Sequence, residues 1–340
     1  MRPWISAGLL IFWLGSSARA AELTQDATEQ WAYPLAAAAQ PGTPASDWLL
    51  ARTFEMQLEW PAEAGAPKLP ADFTLRLAAE RDRLTGSADR ALMDDPVQLS
   101  MRIFRCTEEK LDESACRARR TRLAELDGDN AATAVALMGA AWLARDNAGF
   151  LEAAARGAKA SRHEPAFLSA FGQLRERYAA VPDVAAPGTP LRSEGVDRAD
   201  AAAISSAAAW ALPAYQLFGQ PCREAEGELL GHCLAIARQM VRSGRTTIDV
   251  MIGASLLTSH GSVEDQAEAS DRRREADWLL ARSAELMSGT TEHALPGLSA
   301  FFDVFVTDGE LAAQRALLRA NGGPVLPPED WLSPERSGAP

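Results

Sequence analysis

Cys106, Cys116, Cys222 and Cys233 are the thiols of this chain, and His163, His232, His260 and His293 are its imidazoles. Thiols in such a set can ligate a metal, exchange redox equivalents or cross-link. Metal ligation would use Cys222 with His232 and Cys233. No CxxC, CxxCH or HxxxH spacing accompanies them, so the ligand count falls short of a closed zinc site. Cross-linking suits the pattern better, because an even number of cysteines in an exported chain reads as two disulfides. Three connectivities are open. The close pairs share a context: RCTEEKLDESAC spans 105–116 and CREAEGELLGHC spans 222–233. In each, the second cysteine lies in a helical pattern and the first lies just ahead of it. On one continuous helix the second pair would stand about 16 Å apart, and a disulfide needs Cα atoms within about 7 Å. Local pairing, Cys106–Cys116 and Cys222–Cys233, therefore requires a turn between partners. Pro221, Gly227 and Gly231 offer one in the second pair, and Thr107 and Asp112 are candidate caps in the first. We favour this local pairing.

Other chemistry is poorly supported. Gly297-Leu298-Ser299-Ala300-Phe301 lacks the second glycine of a nucleophile elbow. His163-Glu164 is followed by Pro165, which breaks a zinc-binding helix. No phosphate loop or dinucleotide fingerprint occurs, and no histidine has an obvious carboxylate partner in sequence. The acid pairs Asp94-Asp95 and Glu108-Glu109 read as solvent-facing. Accordingly no catalytic, cofactor-binding or metal-binding residue is assigned, and no cofactor is implied.

The elements that would carry these residues are helical. The chain is 47% hydrophobic and rich in Ala and Leu, which lose little entropy in a helix. The first residues, MRPWISAGLLIFWLGSSARA, have the three parts of a secretory leader: Arg2, the apolar run Ile5 to Leu14, and Ala18-Arg19-Ala20 for cleavage after Ala20. A spanning helix needs roughly 20 apolar residues, more than this run holds. The expected location is the periplasm or the exterior of a Gram-negative bacterium, with no transmembrane segment after cleavage. Without Arg2 and Arg19 the chain carries 32 basic and 46 acidic side chains, a net of −14. That balance argues against a nucleic-acid partner, whose phosphates select clustered Lys and Arg. The short basic runs Arg117/Arg119/Arg120/Arg122 and Arg272–Arg274 read as solvated helix faces.

Helical patterns run over Gln25–Leu58, Phe73–Leu84, Pro96–Phe104 and Ser114–Leu126, with a loop at Pro61–Pro70. A Pro-rich stretch at 181–195 reads as a linker between an N-terminal half, 21–180, and a C-terminal half, 196–323. Asn321-Gly322-Gly323 signals the end of the last helix. The tail 324–340 is expected to be mobile. The phrase DWLLAR occurs at 47–52 and again at 277–282, with AAWLAR at 140–145. Its recurrence predicts that Trp48, Trp278 and Trp142 pack into helix–helix interfaces.

The clearest stretch is LDGDNAATAVALMGAAWLARDNAGFLEAAARGAKASRHEP, 126–165. Val135, Met138 and Trp142 share one face, Arg145-Asp146-Asn147 makes a turn, Phe150, Leu151, Ala154 and Ala158 form the next face, and Pro165 follows. This stretch resembles a tetratricopeptide repeat, with a small residue near the centre of the first helix, an Asp/Asn turn and an Ala-rich second helix. The pattern departs from the family in its extra alanines and in Gly157. The chain is also similar to a family of exported proteobacterial helical proteins, a likeness that implies no activity. What the resemblance implies is an all-α fold of antiparallel helix hairpins stacked as a tetratricopeptide-like array. Such an array would hold an unknown protein or peptide partner on a groove lined by residues such as Met138 and Trp142. The alternative is an enzyme or small-ligand protein with a pocket between helices.

Overall fold

The computed structural model describes residues 27–59, 69–106, 109, 111–182, 192–193, 196–211, 215–289 and 295–332. The leader sequence, most of the expected linker and His293 lie outside them. Among the described residues there are fifteen α-helices, in the following order. They are α1 (Ala27–Ala38), α2 (Pro44–Glu59), α3 (Ala71–Ala91), α4 (Pro96–Arg102), α5 (Glu113–Asp127), α6 (Ala131–Leu143), α7 (Asn147–Gly157), α8 (Ala166–Ala179), α9 (Arg198–Ala211), α10 (Gln216–Arg223), α11 (Gly227–Ser243), α12 (Thr247–His260), α13 (Val263–Gly289), α14 (Leu298–Asp308) and α15 (Glu310–Ala320). A 3-10 turn, Leu92–Asp94, follows α3. Among the described residues the β-structure is one two-residue antiparallel ladder, pairing Arg192 with Asp197 and Ser193 with Val196, and an isolated parallel bridge between Asn130 and Arg162. The chain is thus all-α. No described helix is long and apolar enough to cross a membrane.

The helical pattern expected over Gln25–Leu58 is two helices. Pro41-Gly42 interrupts it, and Thr43 restarts the chain by accepting from the Ser46 N–H at 3.2 Å. The chain also groups differently from sequential halves. Residues up to 101 join 169–212 in one compact unit, and 102–168 join 213–340 in another.

In the first unit the reason is visible in α8. Arg177, 3% exposed, donates to the Ala37 and Ala38 carbonyls at 2.8 Å each and pairs with buried Asp47. Its guanidinium sits at the C-terminus of α1, where carbonyls lack helical partners and the helix dipole favours a cation. Tyr33 donates to the Tyr178 carbonyl at 2.9 Å. Trp31 packs edge-on against Phe54 at 6.3 Å. These long-range bonds draw α8 back to α1 and α2.

The second unit builds pairs of sequence neighbours: α6 packs on α7, α11 on α12, α12 on α13 and α14 on α15, while α7 also meets α11 and α13 meets α15. Helix α6 is apolar on nearly every side and buried accordingly. Its N-cap is Asn130, whose side chain accepts from the Ala132 N–H at 3.1 Å. Two glycines allow the closest approaches. A Cβ on Gly157 would lie 2.7 Å from Ala134 Cβ and 2.8 Å from Ile236 Cδ1, and one on Gly253 would lie 2.7 Å from the Ala237 carbonyl. Gly157, which blurs the tetratricopeptide pattern, is what lets α7 lie against both α6 and α11.

Two copies of the repeated phrase have one local structure. Trp48 is 2% exposed and Trp278 is 5% exposed, with Leu49, Leu50 and Leu279 buried beside them. In each copy the arginine four residues on lies over the indole, Arg52 at 5.4 Å and Arg282 at 5.3 Å from the ring centroid. Each arginine then pairs with an acid three residues further, Glu55 and Glu285. The AAWLAR copy does not follow. Trp142 is 42% exposed and Leu143 is 56% exposed, because α6 ends at Leu143 and Arg145 takes a left-handed φ of 55°. The phrase there closes a helix instead of filling one.

Candidate functional site

Helices α5, α6 and α7 enclose a groove of about 580 Å³ within the second unit. Its floor is small and apolar, from Leu137 and Ala141 of α6 and Ala148 and Ala153 at α7. Its rim carries Arg117, Arg120 and Glu125 from α5 with Asp146, Glu152 and Arg156 from the α7 side. Local rules place each rim group. Asp112 caps α5 by accepting from the Ala115 N–H at 2.8 Å, which fixes the first turn that presents Arg117. Asp146 caps α7 by accepting from the Gly149 N–H at 2.9 Å, and it also receives Arg120 at 3.4 Å. Arg156 pairs with Glu152 at 3.0 Å, one turn away on the same face. The rim is therefore a set of alternating charges at partly exposed positions over an apolar base. Such a surface can take an amphipathic segment, apolar side down and charges to the rim.

The α6–α7 hairpin also exposes three large apolar side chains outside the groove lining, Trp142, Leu143 and Leu151 at 42%, 56% and 49%. Trp142 leans on buried Phe150 with ring centroids 6.0 Å apart. Met138, expected to line a groove, is fully buried and packs inside; Leu137 and Ala141, its neighbours on α6, reach the groove in its place. Trp48 and Trp278 are likewise buried packing residues.

The cysteines pair locally. Cys106 and Cys116 lie at disulfide distance with Cα atoms 5.8 Å apart, and Cys222 and Cys233 with Cα atoms 5.7 Å apart. Asp112 is the cap that makes the first turn. In the second pair the chain turns at Glu224–Glu226, whereas Pro221 and Gly231 sit inside α10 and α11. The loop closed by Cys106 and Cys116 carries Glu109 between two buried arginines. Glu109 accepts from Arg102 at 2.9 Å and pairs with Arg119 at 2.6 Å. Burial pushes the Glu109 carboxyl up, and the two guanidinium groups more than offset that, so it stays below the ordinary range. Two readings of the sequence change here: Glu109 does not face solvent, and the α5 arginines each have an acid partner.

A second polar cluster was not legible from sequence. His163 Nε2 stands 3.1 Å from Asp249 Oδ1, and both side chains are fully buried. Tyr215 donates to the same oxygen, and Thr246 donates to Oδ2 through its hydroxyl at 2.7 Å and its N–H at 3.2 Å. Burial raises the Asp249 carboxyl, but the neighbouring His163 and the hydroxyl donors of Tyr215 and Thr246 outweigh it and hold it low. Tyr215 is driven well above its ordinary value by burial and by Asp249. Glu310, which accepts from the Thr247 N–H at 2.8 Å, is raised by burial. With His163 and Asp249 both fully buried, this cluster braces α12 and the segment before α8 from within. The signal in sequence was Thr246-x-x-Asp249, a capping box. Among the described residues no group of three or more His, Cys, Asp or Glu could hold a metal.

Comparison of the chain with known protein families, with curated proteins and with solved structures found no match.

Proposed function

We propose that this chain is an exported helical-repeat protein that holds a protein or peptide partner in the cell envelope. The observation that carries the reading is the α5–α7 groove, with its apolar floor and charged rim, on a hairpin that also exposes Trp142, Leu143 and Leu151. Clustered exposed apolar side chains of this size favour a partner surface. The volume falls in the roughly 300–1,000 Å³ range of ligand clefts. The neighbour-to-neighbour helix pairing of the second unit supports a tetratricopeptide-like array. Two cysteine pairs at disulfide distance are compatible with an oxidising compartment.

The test is site-specific photocrosslinking from Thr121, an exposed groove position, in cells expressing the full chain at native level. One dominant and saturable adduct is expected. It should disappear in a Trp142→Ser/Leu151→Ser variant whose circular dichroism and melting temperature match the parent. An adduct that survives those substitutions unchanged, or a blank from Thr121, removes the groove as the partner site.

A further inference from the structure

The tail was expected to be mobile, yet residues 324–332 lie along α13. Two α13 side chains one turn apart, Arg274 and Trp278, share one face. Trp278 Nε1 donates to the Pro324 carbonyl at 3.0 Å. Arg274 donates through Nη2 to the Pro328 carbonyl and through Nε to the Trp331 carbonyl at 3.3 Å. The Trp331 ring stands edge-on to Trp278, with centroids 5.3 Å apart and planes at 82°. Val325 and Trp331 pack on the cluster of Val250, Trp278, Leu279 and Leu311.

These are the contacts by which helical surfaces bind peptides. Arg274 and Trp278 reach main-chain carbonyls of the tail, at 324, 328 and 331. Pro327-Pro328 restricts the segment, which then turns at 328–331 with the Trp331 N–H donating to the Pro328 carbonyl at 3.1 Å, so little entropy is lost on docking. The tail is laid on the surface, not woven into it: Leu326 and Leu332 are each 64% exposed, and Pro328, Glu329 and Asp330 are exposed as well. An aromatic anchor and a few captured carbonyls are a small set of contacts for a segment that had to be permanently fixed.

We propose that the Arg274–Trp278 face of α13 is a binding site for a proline-rich peptide that turns into a tryptophan, and that the chain's own tail fills it as an exchangeable intramolecular ligand. This site is separate from the α5–α7 groove and stands or falls independently of it. A short tether holds the tail at an effective concentration of about 1 mM, so an intrinsic affinity of about 10–100 µM would raise the apparent Kd of a competing peptide roughly 10- to 100-fold.

The test uses the full chain and a fluorescent synthetic peptide of sequence GPVLPPEDWLS, residues 323–333, read by anisotropy. Trp331→Ala should release the tail and tighten peptide binding roughly 10- to 100-fold over the parent. Pro327→Gly/Pro328→Gly, which loosens the tail without removing the ring, should give an intermediate gain. Adding Arg274→Ala to Trp331→Ala should abolish binding, and the same peptide with Ala for Trp should fail to bind. A folded Trp331→Ala chain that binds the peptide no better than the parent overturns the proposal. So does loss of a cooperative melting transition in Trp331→Ala, which would make the tail part of the core.

Discussion

Replacing Arg177 with methionine keeps most of the side-chain volume and deletes the guanidinium. In the parent that group makes an ion pair with Asp47, donates to Ser46 Oγ at 3.3 Å, and donates to two carbonyls at the end of α1. Arg177 and Asp47 side chains are 2% and 9% exposed, so water reaches neither well. Removing one member of a buried pair costs about 3–5 kcal/mol, because the other charge stays desolvated without its counterion. The Ala38 carbonyl keeps Arg83 at 2.7 Å and the Ala37 carbonyl keeps the Gln40 N–H at 3.0 Å, so the stranded carboxylate dominates the cost. A loss of about 3–5 kcal/mol is expected against a typical stability of about 5–15 kcal/mol. With a urea slope of about 2 kcal/mol/M, the midpoint should fall by about 2 M. Urea titration followed by far-ultraviolet circular dichroism measures it. The double variant Arg177→Met/Asp47→Leu should recover much of the loss, since it removes the stranded charge too. A midpoint shift below about 0.5 M for Arg177→Met would refute the reasoning that this pair ties α8 to α1 and α2.

Three further outcomes follow from the second unit. Asp249 has a folded pKa below its ordinary value, so its contribution is present above about pH 4 and is lost as pH falls through the folded value. The melting temperature of Asp249→Asn should therefore lie below the parent at pH 7, and the gap should close toward pH 2; a gap independent of pH contradicts this. Glu310 has the opposite sign: its folded pKa is raised, so ionisation costs stability above the ordinary carboxylate range and nothing below it. Glu310→Gln should melt higher than the parent at pH 7 and equal to it near pH 3, and a lower melting temperature at pH 7 would count against the assignment. Cys222→Ser/Cys233→Ser opens a loop whose closure stabilises by roughly 3 kcal/mol, so it should lower the melting temperature, while alkylation of the unreduced parent should find no free thiol.

What the sequence made legible was local. Ala-rich helices, the Arg145–Asn147 turn, the Asn321–Gly323 stop and the turn demanded between close cysteines each follow from residues within one or two turns of one another. The all-α class follows from the sum of such signals. What it hid depends on partners distant in the chain. His163 and Asp249 are 86 positions apart by number, and neither the imidazole nor the carboxylate announces the other. Arg177 reads as one of many helix arginines until α1 is seen to end beneath it. Arg274 reads as part of a solvated basic run until the tail reaches it. Trp142 shows a different limit: the phrase around it matches the buried copies, but burial depends on where in the helix the phrase falls. In α2 and α13 the indole has helix on both sides, whereas in α6 the chain turns one residue later.

That contrast bears on function. A tryptophan at the end of a helix, with its ring half out and leucines on either side of the turn, is unfavourable for a chain that only needs a core. The two buried copies demonstrate that the same phrase can be sheltered. A copy left exposed on the hairpin that also walls a charged-rim groove offers the apolar area that docking a segment uses. The tail on α13 makes the same point from the opposite direction: where this molecule does present a buried-type tryptophan near its surface, a proline-rich segment covers it. Both sites use short helical faces with one indole and nearby arginines. In such sites the indole supplies apolar area at low entropic cost and arginine supplies direction through its planar donors. A peptide that bound one of them would therefore be expected to carry an apolar anchor and free main-chain carbonyls, which is the chemistry the tail itself displays.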